Sequence, residues 1–273
     1  MTEPKTSGQA VAAYYDSLCQ EEWRRLERHW LEFAVTRHFL KRFLPPEASI
    51  LDIGGGPGRY ALDLTESGHR VDLLDLSPGN IELAGEQARE RDLVLNSLSV
   101  GDARDLSGYQ DSHYDAVLLL GPLYHLVEAG ERARAVKEAL RVLKPGGVAF
   151  FAFISRYAAF HFNTKMFPEQ IGEKEDLTRR IFESGLYRPE GKETFFIESH
   201  FADPEDIDPF MRQFPLQKLS LFGAEGLFAQ SELALAKQKP DVLDTWLDLA
   251  IDYAETKGAL YNSEHLVFVG KKR

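Results

Sequence analysis

From Ser49 to Gly147 short apolar runs take turns with amphipathic stretches. The runs 49–53, 70–74, 94–100, 114–120 and 148–154 are rich in Val, Ile and Leu and have the length of buried strands. Between them, 58–67, 78–91 and 130–143 carry apolar residues at helical spacing, the last closed by Lys144-Pro145-Gly146-Gly147. Such alternation predicts βαβ crossovers and a mostly parallel, doubly wound α/β sheet covered on both faces. Upstream, Tyr14, Tyr15, Leu18, Trp23, Leu26, Trp30, Phe33, Phe39 and Phe43 recur at spacings near three and four. They predict a helical cap over 9–43 that stops at Pro45-Pro46. After Ser155 the rhythm breaks. Residues 157–199 hold Tyr157, Phe160, Phe162, Phe167, Phe182, Tyr187, Phe195 and Phe196 without a clear period, as an insertion packed over one edge of the sheet would. The rhythm resumes with a helix at 203–213, a strand at 216–222, helices within 226–257 and a last, antiparallel strand at 265–270. The chain thus divides into a cap (9–43), a core (48–155), an insertion (157–199) and a C-terminal part of the sheet (203–273), all within a single domain.

Composition narrows the function classes. A formal charge of −11 works against a chain whose main partner is a nucleic acid, because phosphate neutralisation needs basic surface. The basic clusters at Arg24, Arg25 and Arg28, at Lys41 and Arg42, and at Lys271-Lys272-Arg273 read as solvated faces. The longest apolar stretches, Ala116–Leu120 and Val148–Ile154, are too short to span a bilayer, and Met1–Thr6 lacks a signal-peptide pattern. A single cysteine, Cys19, excludes an internal disulfide and a cysteine-based metal cluster. No two histidines or acids have metal-ligand spacing on a helix, so no metal is expected. These features point to a cytoplasmic protein.

Candidate chemistry gathers where an open parallel sheet binds ligands, outside the C-terminal ends of its strands. The first strand runs into Asp52-Ile53-Gly54-Gly55-Gly56-Pro57-Gly58-Arg59-Tyr60, a turn whose backbone can approach a ligand closely. Asp75 ends the second strand 23 residues after Asp52 and is followed by Leu76 and Ser77. An acid about 20 residues on is placed to accept ribose hydroxyls. Gly101-Asp102-Ala103 ends the third strand, where a carboxylate can meet an adenine amino group. Leu120 and Gly121-Pro122-Leu123-Tyr124-His125 follow the fourth. Dinucleotide binding is the rival for this turn, because Gly56-Pro57-Gly58-Arg59-Tyr60-Ala61 fits Gly-x-Gly-x-x-Ala. Against it, those glycines start three residues past the strand, and Asp52 and Asp102 are left without a task.

With these residues in place, the chain resembles the class I S-adenosylmethionine-dependent methyltransferases over roughly 48–155. Asp52 to Gly58 looks like the first motif of that family; Asp75, Asp102 and Leu143-Lys144-Pro145-Gly146-Gly147 fall where later motifs fall. The run Leu120–Leu126 and Leu31-Glu32-Phe33-x-x-Thr36 look like a bacterial subgroup. The resemblance implies a Rossmann-like fold and S-adenosylmethionine as cofactor, with S-adenosylhomocysteine as its product. It places Gly54 and Gly56 at the aminocarboxypropyl arm, counts Gly55, Gly58 and Arg59 among the cofactor-binding residues, and sets Asp52 at the turn or the cofactor's ammonium. Asp75, Leu76 and Ser77 fall at the ribose, Asp102 and Ala103 at adenine, and Leu120 at the methionine amine. Tyr15 is placed to close over the sulfonium, where a ring face gains cation–π attraction, and Arg24 and Arg25 are candidates for the cofactor carboxylate.

On the acceptor side the residues say less. His125 is the candidate base, with an ordinary pKa near neutrality, and Tyr124 lines the same region. Relatives that methylate planar amides or exocyclic amines carry Asn/Asp-Pro-Pro-aromatic after strand four, whereas this chain has Gly121-Pro122-Leu123-Tyr124. The expectation is a methyltransferase acting on a small-molecule acceptor at oxygen or nitrogen. A tRNA or protein methyltransferase and a binding module without turnover are the alternatives.

Overall fold

A proline pair ends the N-terminal helical segment and releases the chain into the first strand. The computed structural model describes residues 7–166, 168–189 and 196–273; the expectations at Met1–Thr6, Phe167 and Phe195 lie outside the described residues. The cap is three helices rather than one: α1 (Ser7–Asp16), α2 (Cys19–Arg28) and α3 (Trp30–Phe43). The chain turns at Leu18 (φ −129°, ψ 17°) and at His29 (φ −100°, ψ 59°). Neither corner is a Gly or Pro. Packing decides them, because α2 must bury Trp23 and Leu26 while α3 buries Leu31, Val35, Phe39 and Leu40.

The core follows the expected alternation: β1 (Ser49–Ile53), α4 (Arg59–Glu66), β2 (Arg70–Asp75), α5 (Pro78–Glu90), β3 (Ser97–Val100), β4 (Tyr114–Leu119), α6 (Ala129–Val142) and β5 (Leu143–Ser155). The third strand starts at Ser97 rather than Val94, whose side chain is exposed. The insertion is more regular than its sequence: α7 (Ala158–Met166), α8 (Ile171–Ser184), β6 (Leu186–Tyr187) and β7 (Ser199–Ala202). Then come α9 (Pro204–Met211), β8 (Leu216–Gly223), α10 (Glu232–Leu235), α11 (Pro240–Tyr253), α12 (Lys257–Asn262) and β9 (His265–Lys272). None of the described helices is long and apolar enough to cross a membrane.

Strands pair in the order β3-β2-β1-β4-β5, all parallel, and β9 then runs antiparallel to both β5 and β8. At its far end β5 also pairs in parallel with β7, Ile154 opposite Phe201, and β6 runs antiparallel to β7. Side chains of β4 and β5 alternate between the two faces. Ala116, Leu118, Phe150 and Ala152 enter one core with α3, and Val117, Leu119, Phe151 and Phe153 enter the other with α6. Both faces of the sheet are therefore buried, as continuous apolar strands require. The cap is fastened to this core by Phe39, which stacks on Phe222 of β8 at 3.9 Å between ring centroids. Phe222→Leu is expected to cost about 1.5 kcal/mol through the lost ring contact, read as a lower urea midpoint at unchanged m-value. An unchanged midpoint would show that the cap contributes nothing through this stack. A third cluster ties the insertion down: Ala158, Ala159, Ile181, Tyr187 and Phe201 pack on Tyr124 and Ile154.

Candidate functional site

The turn after β1 is pinned to the neighbouring strand by Gly54 N–H and Gly55 N–H, which both donate to the Leu74 carbonyl at 2.6 and 3.3 Å. Gly54 has φ 67°, and a Cβ there would lie 2.3 Å from Pro122 Cγ. Only glycine lets this turn meet the segment after β4 so closely. Gly56 has φ 58° but faces nearly open space, the nearest atom to an added Cβ being Glu22 Cγ at 3.8 Å. The peptide at Gly56 is therefore presented to a cavity.

That cavity, of about 1140 Å³ and open to solvent, lies along the C-terminal ends of β1, β2, β3 and β4. It brings together nearly all the residues singled out from the sequence. Asp52, Gly54, Gly55, Gly56 and Arg59 line one side; Asp75, Leu76, Ser77, Asp102 and Ala103 the next; Leu120, Tyr124 and His125 a third. Tyr15 closes the top together with Gly8, Val11 and Ala12 of α1. Gly58 is the exception. A Cβ on it would lie 3.2 Å from Leu73 Cδ2 and 3.3 Å from the Ala84 Cβ, so it serves the seating of α4 against the sheet. Arg24 does not line the cavity either, whereas Arg25 does.

Asp75 builds the floor. Its Oδ2 accepts Gly56 N–H at 2.8 Å, and its Oδ1 accepts Ser77 N–H at 2.9 Å and the Asn80 amide at 3.2 Å. Burial raises its pKa, and these three donors partly offset the effect. Asn80 was not among the expected residues. Its clue was the Ser77-Pro78-Gly79-Asn80 start of α5, where Ser77 Oγ caps by accepting Asn80 N–H at 3.0 Å. The same helix start holds α1 over the cavity, because Asp16 Oδ1 accepts Ser77 O–H at 2.5 Å and Gly79 N–H at 2.9 Å.

Asp52 is fully buried, and its Oδ2 has no hydrogen-bond partner. Burial, with the neighbouring charge of Asp75 adding to it, pushes its pKa up to about 7. A buried carboxylate in this state favours a cationic partner. Asp102 is differently placed. Its oxygens take Arg104 N–H at 2.8 Å, Nε at 3.0 Å and Nη2 at 2.6 Å. Burial would raise its pKa, but these bonds outweigh burial and lower it. Arg104 also went unnoticed in the sequence, although an arginine two residues past the acid was its signal.

His125 sits in a 3₁₀ turn, Pro122–His125, that follows β4. Its Nε2 lies 2.8 Å from the Tyr15 hydroxyl. Burial lowers its pKa to about 3, with a backbone contact from Glu198 opposing. The expected near-neutral base is thus a neutral imidazole hydrogen-bonded to the Tyr15 hydroxyl, because burial, which the sequence does not show, depresses its pKa.

A second cavity, of about 1220 Å³, shares Tyr15, Glu22, Arg25 and Tyr124 with the first. Its far wall comes from the insertion: Ala158, Ala159, Phe162, Phe196 and Phe201. Behind it lies a buried charge network. Arg25 donates to Glu32 through Nη1 at 2.5 Å and Nη2 at 3.1 Å, and His265 Nδ1 lies 2.7 Å from Glu225 Oε1. Burial alone lowers the pKa of His265, but Glu32 and Glu225 outweigh it and raise it to about 9. Glu32, Glu225 and His265 come within 4.8 Å of one another, a grouping that residues so far apart in sequence did not announce. With Arg25 on Glu32 and a protonated His265 on Glu225, it is an ion-pair network.

Residues 51–151 match the methyltransferase domain family. A glycine/sarcosine N-methyltransferase from Parasynechococcus marenigrum is 36% identical over 101 residues, which cover 37% of this chain and 36% of that protein. The tRNA 5-carboxymethoxyuridine methyltransferase of Escherichia coli is 30% identical over 121 residues, covering 44% of this chain and 45% of that one. The chain therefore spans less than half the length of either curated relative. A SAM-dependent methyltransferase structure from Thermotoga maritima superposes with a TM-score of 0.60 at 18% identity, covering 95% of this chain and 98% of its own. At that identity the likeness is one of fold. Residues 51–151 thus match a methyltransferase domain, and they lie in a Rossmann-like, mostly parallel sheet shared with solved SAM-dependent methyltransferases.

Proposed function

We propose that the chain binds S-adenosylmethionine in the first cavity and methylates a small molecule, at oxygen or nitrogen, held in the second. The observation that carries this reading is Asp52 Oδ2, a buried carboxylate oxygen without a partner beside a glycine turn that exposes its backbone. An ammonium or sulfonium complements that carboxylate in charge, and NAD, whose phosphates are anionic, does not. S-adenosylmethionine supplies an electrophilic methyl group when bound. Asp52 holds the amino end, and Gly54, Gly55 and Gly56 admit the aminocarboxypropyl arm, with Arg59 beside them. Asp75 meets the ribose on the lone pairs left after its three donors, with Leu76 and Ser77 alongside. Asp102 and Ala103 border the adenine, Leu120 offers backbone to the amine, and Tyr15 covers the reacting centre.

The small-molecule assignment is supported by the aromatic wall that the insertion adds to the second cavity and by the charge of −11. The relative named for glycine and sarcosine is of this kind; the one named for tRNA is the alternative. We assign the chain to the bacterial subgroup that shares the Leu120–Leu126 run. Calorimetric titration with S-adenosylmethionine and, separately, NAD tests the donor site. Micromolar affinity for the first and none for the second is expected; the reverse would overturn the reading.

Tyr124 lines both cavities, and His125 lines the first with its ring 5.5 Å from that of Phe196 in the second. His125, neutral through the physiological range, orients the Tyr15 hydroxyl rather than carrying a proton away. His125→Ala is expected to lower turnover by about tenfold or more through lost positioning, with S-adenosylhomocysteine affinity nearly unchanged. A wild-type rate inflection near pH 6.5 that disappears in this variant would restore the role of base.

A further inference from the structure

We propose that the second cavity recognises an amine: a molecule with an apolar or aromatic body whose nitrogen carries, or gains on methylation, a positive charge. This rests on the reading of the first cavity as the S-adenosylmethionine site. Two independent features of the walls point to it. The first is aromatic. Tyr14, Tyr15, Tyr124, Phe162, Phe196 and Phe201 line the space. Tyr14 stands edge-on to Tyr15 at 5.3 Å and to Phe196 at 6.2 Å between centroids. Such a box offers ring faces to a cation.

The second feature is the charge balance. At the wall and directly behind it lie five carboxylates, Glu22, Glu32, Glu225, Glu232 and Glu264, of which the last four are almost wholly buried. Three cations face them. Arg25 bridges Glu22 and Glu32, His265 sits on Glu225, and Lys165 Nζ lies 2.8 Å from Glu264 and 3.7 Å from Glu232. Counting His29, 3.4 Å from Glu232, as a fourth cation still leaves an acid in surplus. At the rim Glu21 and Arg28 cancel. Glu264 itself lines the cavity, with Lys165 Nζ behind it at 2.8 Å, so the surplus lies in the network behind the wall. In a buried setting a net negative network close behind the wall favours a cation and disfavours a carboxylate.

The chemistry is consistent with that preference. The bound ammonium first gives up a proton to water; the lone pair of the resulting neutral amine then forms the new N–C bond as the C–S bond breaks, its electrons remaining on sulfur. Positive charge moves from sulfur to nitrogen, toward the acidic network, and an N–H proton then leaves to water. An alcohol that attacks as its alkoxide ends neutral and draws no such benefit.

Three isosteric probes test the proposal on the full chain saturated with S-adenosylhomocysteine: 2-phenylethylamine, 2-phenylethanol and 3-phenylpropanoate, each titrated calorimetrically. The amine is expected to bind about tenfold or more tighter than either other probe, as desolvated cation–π and charge attraction predict. Glu264→Gln should reduce amine affinity several-fold and leave alcohol and S-adenosylhomocysteine affinities unchanged. If that variant does not fold, Phe196→Leu replaces it, and the amine-to-alcohol ratio should fall. Equal affinities, preference for the carboxylate, or silence of all three probes on the loaded protein would overturn the inference. Failure of S-adenosylhomocysteine itself to bind is a different result and would strike the donor site instead.

Discussion

Asp75→Ala is expected to weaken S-adenosylhomocysteine binding by at least about a hundredfold, close to 3 kcal/mol. Two losses combine. One is any hydrogen bond from the ligand to the carboxylate. The other is the shape of the site, because Asp75 binds Gly56 N–H, Ser77 N–H and the Asn80 amide and so joins the glycine turn to the start of α5. Without it these donors lose their acceptor, and the Gly56 peptide is free to leave the conformation that faces the cavity. Stability should fall less than affinity, by about 1–2 kcal/mol, because the variant also sheds a carboxylate whose charge burial disfavours. Asp75→Asn keeps one acceptor oxygen but turns an amide toward the donors opposite, so it should fall between wild type and Asp75→Ala. Calorimetry gives the affinities and urea unfolding the stabilities. If Asp75→Ala binds as tightly as the wild type, both the ribose contact and the scaffold role are lost.

Asp75 also shows what was legible beforehand. Its place follows from local facts: a strand of Val and Leu ending in an acid, one βα unit after a glycine turn. The same holds for β1, β2, β4 and β5, whose apolar runs are long and whose connections are short, and for the edge at which Asp52, Asp102 and His125 meet. What each group binds did not follow. Arg104 closes on Asp102, and Tyr15 reaches His125 across 110 residues. Those pairings are tertiary, and they change the chemistry by occupying one carboxylate and pairing one imidazole. The N-terminal cap has helical periodicity throughout, so its corners at Leu18 and His29 left no mark, being set by what each helix packs against. In the insertion, β7 is four residues long and pairs with Ile154 and Ser155 at the end of β5. A strand so short, preceded by scattered aromatics, has no period to detect. The network of Glu32, Glu225 and His265 is likewise assembled from α3, the stretch after β8 and the start of β9, which only the closed sheet brings together.

Affinity for S-adenosylhomocysteine is expected to rise about tenfold per pH unit as pH climbs toward 7 and to level off above it, in step with ionisation of Asp52. The carboxyl is held at about 7 by burial and by the charge of Asp75, against an ordinary value of 3.8. Below pH 7 it is mostly protonated and offers an ammonium little; above, the charge is present in a site where no other group pairs with Oδ2. The ligand's amino group remains protonated across this window, so the slope belongs to the protein. Stability without ligand should run the opposite way. The folded state holds a proton on Asp52 that the unfolded chain releases near pH 3.8, so Asp52's contribution is fully favourable below that value. It is lost as pH rises toward 7, where the buried charge must be formed. Asp52→Asn removes the titration from both measurements: its affinity should be weak and flat between pH 5 and 8, and its stability should lose the decline over the same range. A variant whose affinity kept the wild-type slope would assign the proton to another group and would take from Asp52 the role of holding the cofactor's amino end. A variant with flat affinity but an unchanged stability slope would separate the two effects, leaving Asp52 as the cation's partner while moving the folding-linked proton elsewhere.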